Sequence, residues 1–313
     1  MTISDYTFVL NRKKVTAMGA ELSPTRPPEA IVFIKQASYN TTYTVTVNGS
    51  SFSFTTLDGV APADEPADSL SSREIAEKLA EQIRGSWSGG TVTCSHSTIW
   101  LKSSGAEFTI KAEDTRSNTH ISLCKGTVQR FSDLPTVAPR GFVTEIVGDS
   151  SSSFDNYYCA FEPLDSQSSF GTGVWKETVK PGMPYKLDPA TMPHALIRQA
   201  DGSFSFGPLE WGERVCGDDE SAPEPSFCGK TLNGMFFYRN RLAFLSGENV
   251  IMSEAGEFFN FFATTVTTMV DSDVIDVAAS HTKSSILEHA AAFSGGLLLF
   301  SAQSQFEIGR AHV

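Results

Sequence analysis

The chain has 313 residues, 40% of them hydrophobic and 19% charged, with 23 phenylalanines and a formal net charge of −12. That length admits two domains or one large β domain carrying an insertion, and the composition excludes a chain disordered throughout. So acidic a balance also excludes a protein that holds nucleic acid by neutralising phosphates, since that affinity rests on Lys and Arg.

No run approaches the roughly 18 apolar residues of a membrane helix. In "MTISDYTFVLNRKK" the basic residues follow the apolar stretch, the reverse of a secretory leader. A cytoplasmic product without membrane insertion is the expectation. The five cysteines, Cys94, Cys124, Cys159, Cys216 and Cys228, are scattered with no C-x-x-C pair. Free thiols are therefore expected, not a disulfide framework or a zinc site.

In chain order, "DYTFVLNRKKVTAM" reads as a strand, a basic turn and a second strand. The prolines of "SPTRPPEA" then mark a connector into an insertion. Within it, "TYTVTVNGSSFSF" has an Asn48-Gly49 turn of the I′ type, which pairs Val47 with Ser50, Val45 with Phe52 and Tyr43 with Phe54. After an acidic, Pro-rich loop, "SSREIAEKLAEQIRG" opens with a Ser71-x-x-Glu74 capping box and sets Ile75, Leu79 and Ile83 on one helical face, with Gly85 as the stop. Glu77, Lys78 and Glu81 form the opposite, solvated face. "TVTCS", "TIWLKSS" and "EFTIKAE" follow as strands.

"LPTVAPRG" is a second linker. Beyond it short strands alternate with Ser- and Gly-rich turns, and from Leu232 onward strand-length apolar runs are bracketed by Asn233-Gly234, Asn240, Gly247, Gly256 and Asp271 to Asp273. Many short strands without crossover helices indicate a propeller, sandwich or barrel. Each run in "FFYRNRLAFLSGENVIMSEAGEFFNFF" is read as one strand of a blade-like sheet. The fold class is mainly β, a partial β-propeller with an inserted small α+β domain. The expected divisions are 1–35 for the first propeller strands and linker, 36–130 for the inserted platform-like domain, 131–231 for a β-rich connection, 232–307 for propeller blades, and 308–313 for a non-native tail.

Chemistry is sparse. Asp271, Asp273 and Asp276 invite a metal reading, but they lack the glycine and terminal Glu of a calcium loop, so turn-forming aspartates are expected. His194 in "TMPHALIR" reads as a packed or turn-stabilising histidine. No G-x-S-x-G, H-E-x-x-H, P-loop or G-x-G-x-x-G occurs. The residues singled out are structural: Arg239, Asn240 and Arg241 at one turn, Gly247, Glu248 and Asn249 at the next, then Asp273 and Asp276. The arginines are read as bidentate carboxylate partners, with Arg241 expected to find Asp273, Asp276 or Glu248.

The stretches "TMPHALIRQADGSFSF", "RVCGDDESAPEPSFCG" and "MFFYRNRLAFLSGENVIMSEAGEFFNFF", followed by "DSDVIDVAAS", closely resemble the tail tubular protein B family, the nozzle proteins of short-tailed podoviruses. "DYTFVLNRKK", "REIAEKLAEQIR", "PRGFVTEIVGD" and "VWKET" fit in order. The resemblance implies a structural virion protein, assembled in the host cytoplasm into the phage tail, with no catalytic residue, cofactor or metal. It further implies a homo-hexamer that lines the DNA ejection channel below the adaptor, tail tubular protein A, and helps dock the tail fibre protein, with phage DNA passing unbound. Family members extend further in both directions, so an internal fragment is expected, and "IGRAHV" at Ile308 to Val313 reads as adapter-encoded. The alternative is a tail-associated polysaccharide-binding or glycoside-hydrolysing protein, with exposed Trp175 or Trp211 stacking on sugars.

Overall fold

The computed structural model describes residues 1–3, 5–58, 70–148, 156–279 and 285–309. The acidic loop expected after residue 58 falls almost wholly outside the described residues, as do 310–313. Strands β1 (Thr2–Ile3) and β2 (Tyr6–Val9) are followed by β3 (Glu29–Ile34), β4 (Thr42–Val47), β5 (Ser50–Thr55) and helix α1 (Ser72–Ser86). Next come β6 (Gly90–Ser95), β7 (Thr98–Ser103), β8 (Ile110–Asp114), β9 (Ile121–Cys124), β10 (Thr127–Val128), β11 (Val137–Pro139), β12 (Val143–Ile146), β13 (Tyr157–Pro163) and β14 (Phe170–Thr178). Then follow β15 (His194–Arg198), β16 (Phe204–Pro208), β17 (Gly234–Tyr238), β18 (Arg241–Ser246), β19 (Asn249–Met252), β20 (Ile275–Ala278), β21 (Leu287–Ala292), β22 (Leu297–Ser301) and β23 (Gln305–Ile308). The chain is mainly β, and α1 is its one α-helix among the described residues. It divides into two compact units, Pro24–Pro181, and Met1–Ser23 together with Gly182–Val313.

In the 24–181 unit the β4–β5 hairpin takes the register its turn dictates, Val47 opposite Ser50, Val45 opposite Phe52 and Tyr43 opposite Phe54. Asn48 and Gly49 have φ of 49° and 83°, the paired left-handed residues of a I′ turn. Ser71 caps α1 by accepting from the Glu74 amide at 3.3 Å. Ile75, Leu79 and Ile83 are wholly buried, while Arg73–Glu77 and Lys78–Glu81 pair on the solvent face. The helix runs one residue past Gly85, because the Trp87 amide still donates to the Ile83 carbonyl at 2.7 Å. The Trp87 ring, 5.2 Å from that of Phe108, anchors this end. Packing here overrides the glycine stop.

Strand β3 shows why "EAIVFI" is apolar without alternation. Ala30, Val32 and Ile34 face α1 and the β4–β5 hairpin. Ile31 faces a second cluster with Phe142, Ile146 and Phe161, on the far side of the β6-β7-β3-β9 sheet. That cluster belongs to the sheet ordered β10-β12-β13-β14-β11. A strand covered on both faces keeps no polar side, so the period-2 signal vanishes.

The other unit stacks three antiparallel sheets, ordered β1-β2-β15-β16, β17-β18-β19-β20 and β21-β22-β23. Strand β18 lies buried along its whole length. Leu242 and Phe244 pack with Phe8 and Ala195 of the first sheet, and Ala243 and Leu245 pack with Leu287, Leu297 and Leu299 of the third. The strand expected after "NRKK" does not form: Val15 makes only an isolated bridge to Thr231. Nor is "EFFNFF" a strand. Residues 253–274 are an irregular excursion between β19 and β20, whose aromatic rings fill the core between the first two sheets.

None of the five cysteines forms a disulfide, and burial pushes the Cys159 thiol up to about 12 and that of Cys124 up to about 11. Ile308 pairs with Leu297 as the last residue of β23.

Replacing Leu79 with alanine should cost about 2–5 kcal/mol of stability, from lost burial and the cavity left behind. Glu81→Ala on the exposed face should stay within about 0.5 kcal/mol. Urea unfolding measures both, and equal effects would contradict this packing.

Candidate functional site

The singled-out residues gather on the middle sheet of the stack. Arg239 and Asn240 form the two-residue β17–β18 turn between Tyr238 and Arg241, with φ of 46° and 60°. Both are left-handed, as a I′ hairpin demands. The Arg239 guanidinium lies 5.2 Å from the centroid of the Tyr238 ring. Gly247 (φ 58°) and Glu248 form the β18–β19 turn between Ser246 and Asn249. A positive φ at the first turn position is the II′ arrangement, for which glycine is suited.

Arg241 is the centre of the site. It is only 6% exposed, and its guanidinium donates to main-chain carbonyls: Nη1 to Ser253 at 2.6 Å and to Asp273 at 2.5 Å, and Nη2 to Asp271 at 2.6 Å. Burial lowers its pKa, and the nearby charges of Asp273 and Glu254 oppose that shift. The expected carboxylate pairing is thus corrected: Arg241 grips the backbone at both ends of the 253–274 excursion. The carboxylates are satisfied by other donors. The Val270 amide donates to Asp273 at 2.8 Å, Ser226 donates to Asp276 through its amide at 2.7 Å and its hydroxyl at 2.5 Å, and the Ser285 amide donates to Glu248 at 2.7 Å. Asn249 reaches Asp276 at 3.4 Å.

Other bonds brace the same excursion. The Gly256 amide donates to the Asn240 carbonyl at 2.9 Å, and the Ala255 amide to Ser272 at 3.0 Å. Asn260 donates to Glu254 at 2.8 Å and to the Phe262 carbonyl at 3.1 Å. Gly212 donates to the Phe259 carbonyl at 2.8 Å. A Cβ on Gly212 would fall 2.8 Å from the Cα of Asn260, so only glycine permits that approach. So held, Phe261 lies 4.9 Å from Phe244 and 5.6 Å from Phe227, ring centre to ring centre. Sequence reasoning missed Ser253, which acts through its carbonyl, and Asn260 and Ser226, whose side chains bond to segments far apart in pattern and leave no motif.

The cavity of about 390 Å³ beside Arg241 is lined by Tyr238, Met252, Ile275 and Val277, and among the described residues Asp271 is the one acid on its wall. A glycoside hydrolase needs two facing carboxyls. In the 24–181 unit a groove of about 510 Å³ carries Glu29, Glu107 and Glu145. There Glu29 is bound by Arg26 and Trp100, Glu107 by Lys125 and Glu145 by Asn156. His194 Nδ1 lies 3.1 Å from the Met192 carbonyl, with its ring against Phe206. Of the tryptophans expected to meet sugars, Trp211 is buried at 8% exposure, and half-buried Trp175 packs on Phe161 and donates to the Pro135 carbonyl at 2.7 Å. No group of His, Cys, Asp and Glu suited to a metal ion occurs among the described residues.

The family described as bacteriophage nozzle protein matches residues 1–313. Tail tubular protein gp12 of Escherichia phage T7 is 36% identical over 315 residues, covering 98% of this chain. The chain spans 38% of the length of that relative.

Arg241→Ala should destabilise the unit by about 2–4 kcal/mol, since the buried Ser253 carbonyl and the part-buried carbonyls of Asp271 and Asp273 lose a charged donor. Arg239→Ala, at an exposed turn, should cost under about 1 kcal/mol. Chemical denaturation followed by tryptophan fluorescence checks the pair, and an Arg241 variant of wild-type stability would refute the clamp.

Proposed function

The chain belongs to the bacteriophage nozzle protein family, a structural component of the virion tail, and from that premise we propose that its copies assemble into the tail's DNA conduit. The observation that carries this reading is the family match over the whole chain. In the proposal, copies form a homo-hexameric ring around the channel, with the adaptor, tail tubular protein A, on one side and the tail fibre protein docked outside. DNA crosses without being held. A formal net charge of −12 supports this, because few phosphates are neutralised and no counterion-release affinity traps the passing genome.

We further read the three stacked sheets as consecutive blades of a β-propeller, with 24–181 as an inserted α+β platform. Support comes from the way each sheet of the stack is a meander in sequence order, apart from the point between β2 and β15 where the 24–181 unit enters. The carboxylates Asp273 and Asp276 and the arginines Arg239 and Arg241 are then scaffold residues.

Electron microscopy of the purified protein mixed with its adaptor tests the assembly. Six-fold rings are expected, and a dispersed monomer under the same conditions would overturn the reading.

A further inference from the structure

Asn48 and Gly49 set the register of the β4–β5 hairpin, well inside the 24–181 unit. The same two residues form a chemically reactive pair. An asparagine side-chain carbonyl can be attacked by the main-chain nitrogen of the next residue, and glycine, with no Cβ, leaves that nitrogen unhindered. Two Asn-Gly pairs occur in the sequence, Asn48-Gly49 and Asn233-Gly234. The fold treats them differently.

Asn48 and Gly49 are both exposed, and a Cβ built on Gly49 would meet nothing within 4 Å, so the turn stands open to solvent base. The Asn48 side-chain carbonyl, the electrophile, is polarised by its neighbours. Its Oδ1 accepts from the Thr109 amide at 2.8 Å and from the Thr109 hydroxyl at 3.4 Å. The Asn48 amide in return donates to the Thr109 carbonyl at 2.9 Å, which holds this geometry. When a nitrogen attacks Cγ, negative charge develops on Oδ1, and donors fixed on that atom stabilise it without reorganisation.

Asn233-Gly234 is held in another way. Asn233 is half-buried, its amide donating to the Leu245 carbonyl at 2.7 Å and its Nδ2 to the Leu287 carbonyl at 3.2 Å. Gly234 is buried at the start of β17 opposite Leu245, where a Cβ would fall 3.1 Å from the Glu288 carbonyl oxygen. Packing this close keeps the Gly234 nitrogen from turning on the Asn233 side chain and keeps solvent base away from it.

We propose that Asn48 is a site of spontaneous modification, at which the turn converts itself to aspartyl and isoaspartyl forms. The Gly49 nitrogen gives its proton to solvent base and bonds to Asn48 Cγ. The Cγ–Nδ2 bond breaks, ammonia leaves, and a cyclic succinimide remains. Water then opens the ring, giving aspartate by attack at Cγ and isoaspartate by attack at the Asn48 main-chain carbonyl. Aspartate keeps an oxygen for Thr109 and suits the first position of a I′ turn. Isoaspartate carries the main chain through Cβ and Cγ, which adds a methylene to the turn. A lengthened turn no longer matches Val47 to Ser50, the register on which burial of Tyr43, Val45 and Phe52 depends.

Peptide mapping by mass spectrometry of the full chain, held in mildly alkaline buffer and sampled over time, tests the proposal. A synthetic peptide spanning Val45–Phe52 is the control for the chemistry. Conversion at Asn48 should outpace that at Asn233 by more than about tenfold, should quicken as the pH is raised, and should yield isoaspartate alongside aspartate. Chains enriched in isoaspartate should melt at a lower temperature than fresh protein, whereas Asn48→Asp should melt close to wild type. Equal conversion at the two asparagines overturns the proposal, as does an unmodified Asn48 in the folded chain under conditions that convert the peptide. An isoaspartyl form with an unchanged melt contradicts the part given to turn length.

Discussion

A guanidinium taken out of water must find hydrogen-bond acceptors, and Arg241 finds them in the carbonyls of Ser253, Asp271 and Asp273. That single requirement organises the middle of the stack. The three carbonyls bracket the 253–274 excursion, so satisfying the cation also fixes both ends of an irregular segment that has no ladder of its own. The segment in turn delivers Phe259, Phe261 and Phe262 into the core with Phe227, Phe244 and Trp211. Desolvating Arg241 is costly, and main-chain dipoles offset that cost without burying a second charge.

The two wholly buried strand surfaces explain the architecture. Strand β3 and strand β18 each present apolar side chains to both sides. A sheet whose central strand does this has to lie between two other layers. Both units therefore grow by stacking layers, and polar residues are left for turns and rims. Charges such as Asp273, Asp276 and Glu248 go to amides and hydroxyls that hold turns in place. This allocation suits a scaffold, in keeping with a family of tail components.

Local grammar was legible where it acts locally. The Asn48-Gly49 turn specified the β4–β5 register residue by residue, and the helix start followed from Ser71 and the spacing of Ile75, Leu79 and Ile83. The helix end differs from the expected stop because a tertiary contact of Trp87 outweighs the local preference of Gly85. The partners of Arg241 were hidden for a different reason: a carbonyl belongs to every residue, so a backbone acceptor leaves no mark in side-chain pattern. The "EFFNFF" run resembles a strand in sequence because apolar density looks the same in a ladder and in an aromatic cluster pinned by Asn260. Its lack of period-2 alternation was the available warning, although fully buried β18 lacks alternation too.

Amide hydrogen exchange compares the Arg241→Lys variant with the wild-type protein most directly. Lysine keeps the charge but cannot span three carbonyls with a planar fork. In the variant, protection should collapse at the amides of Ala255 and Gly256, while Ala243 and Leu245 in β18 remain protected. Unchanged protection across 253–274 would contradict the role given to this arginine.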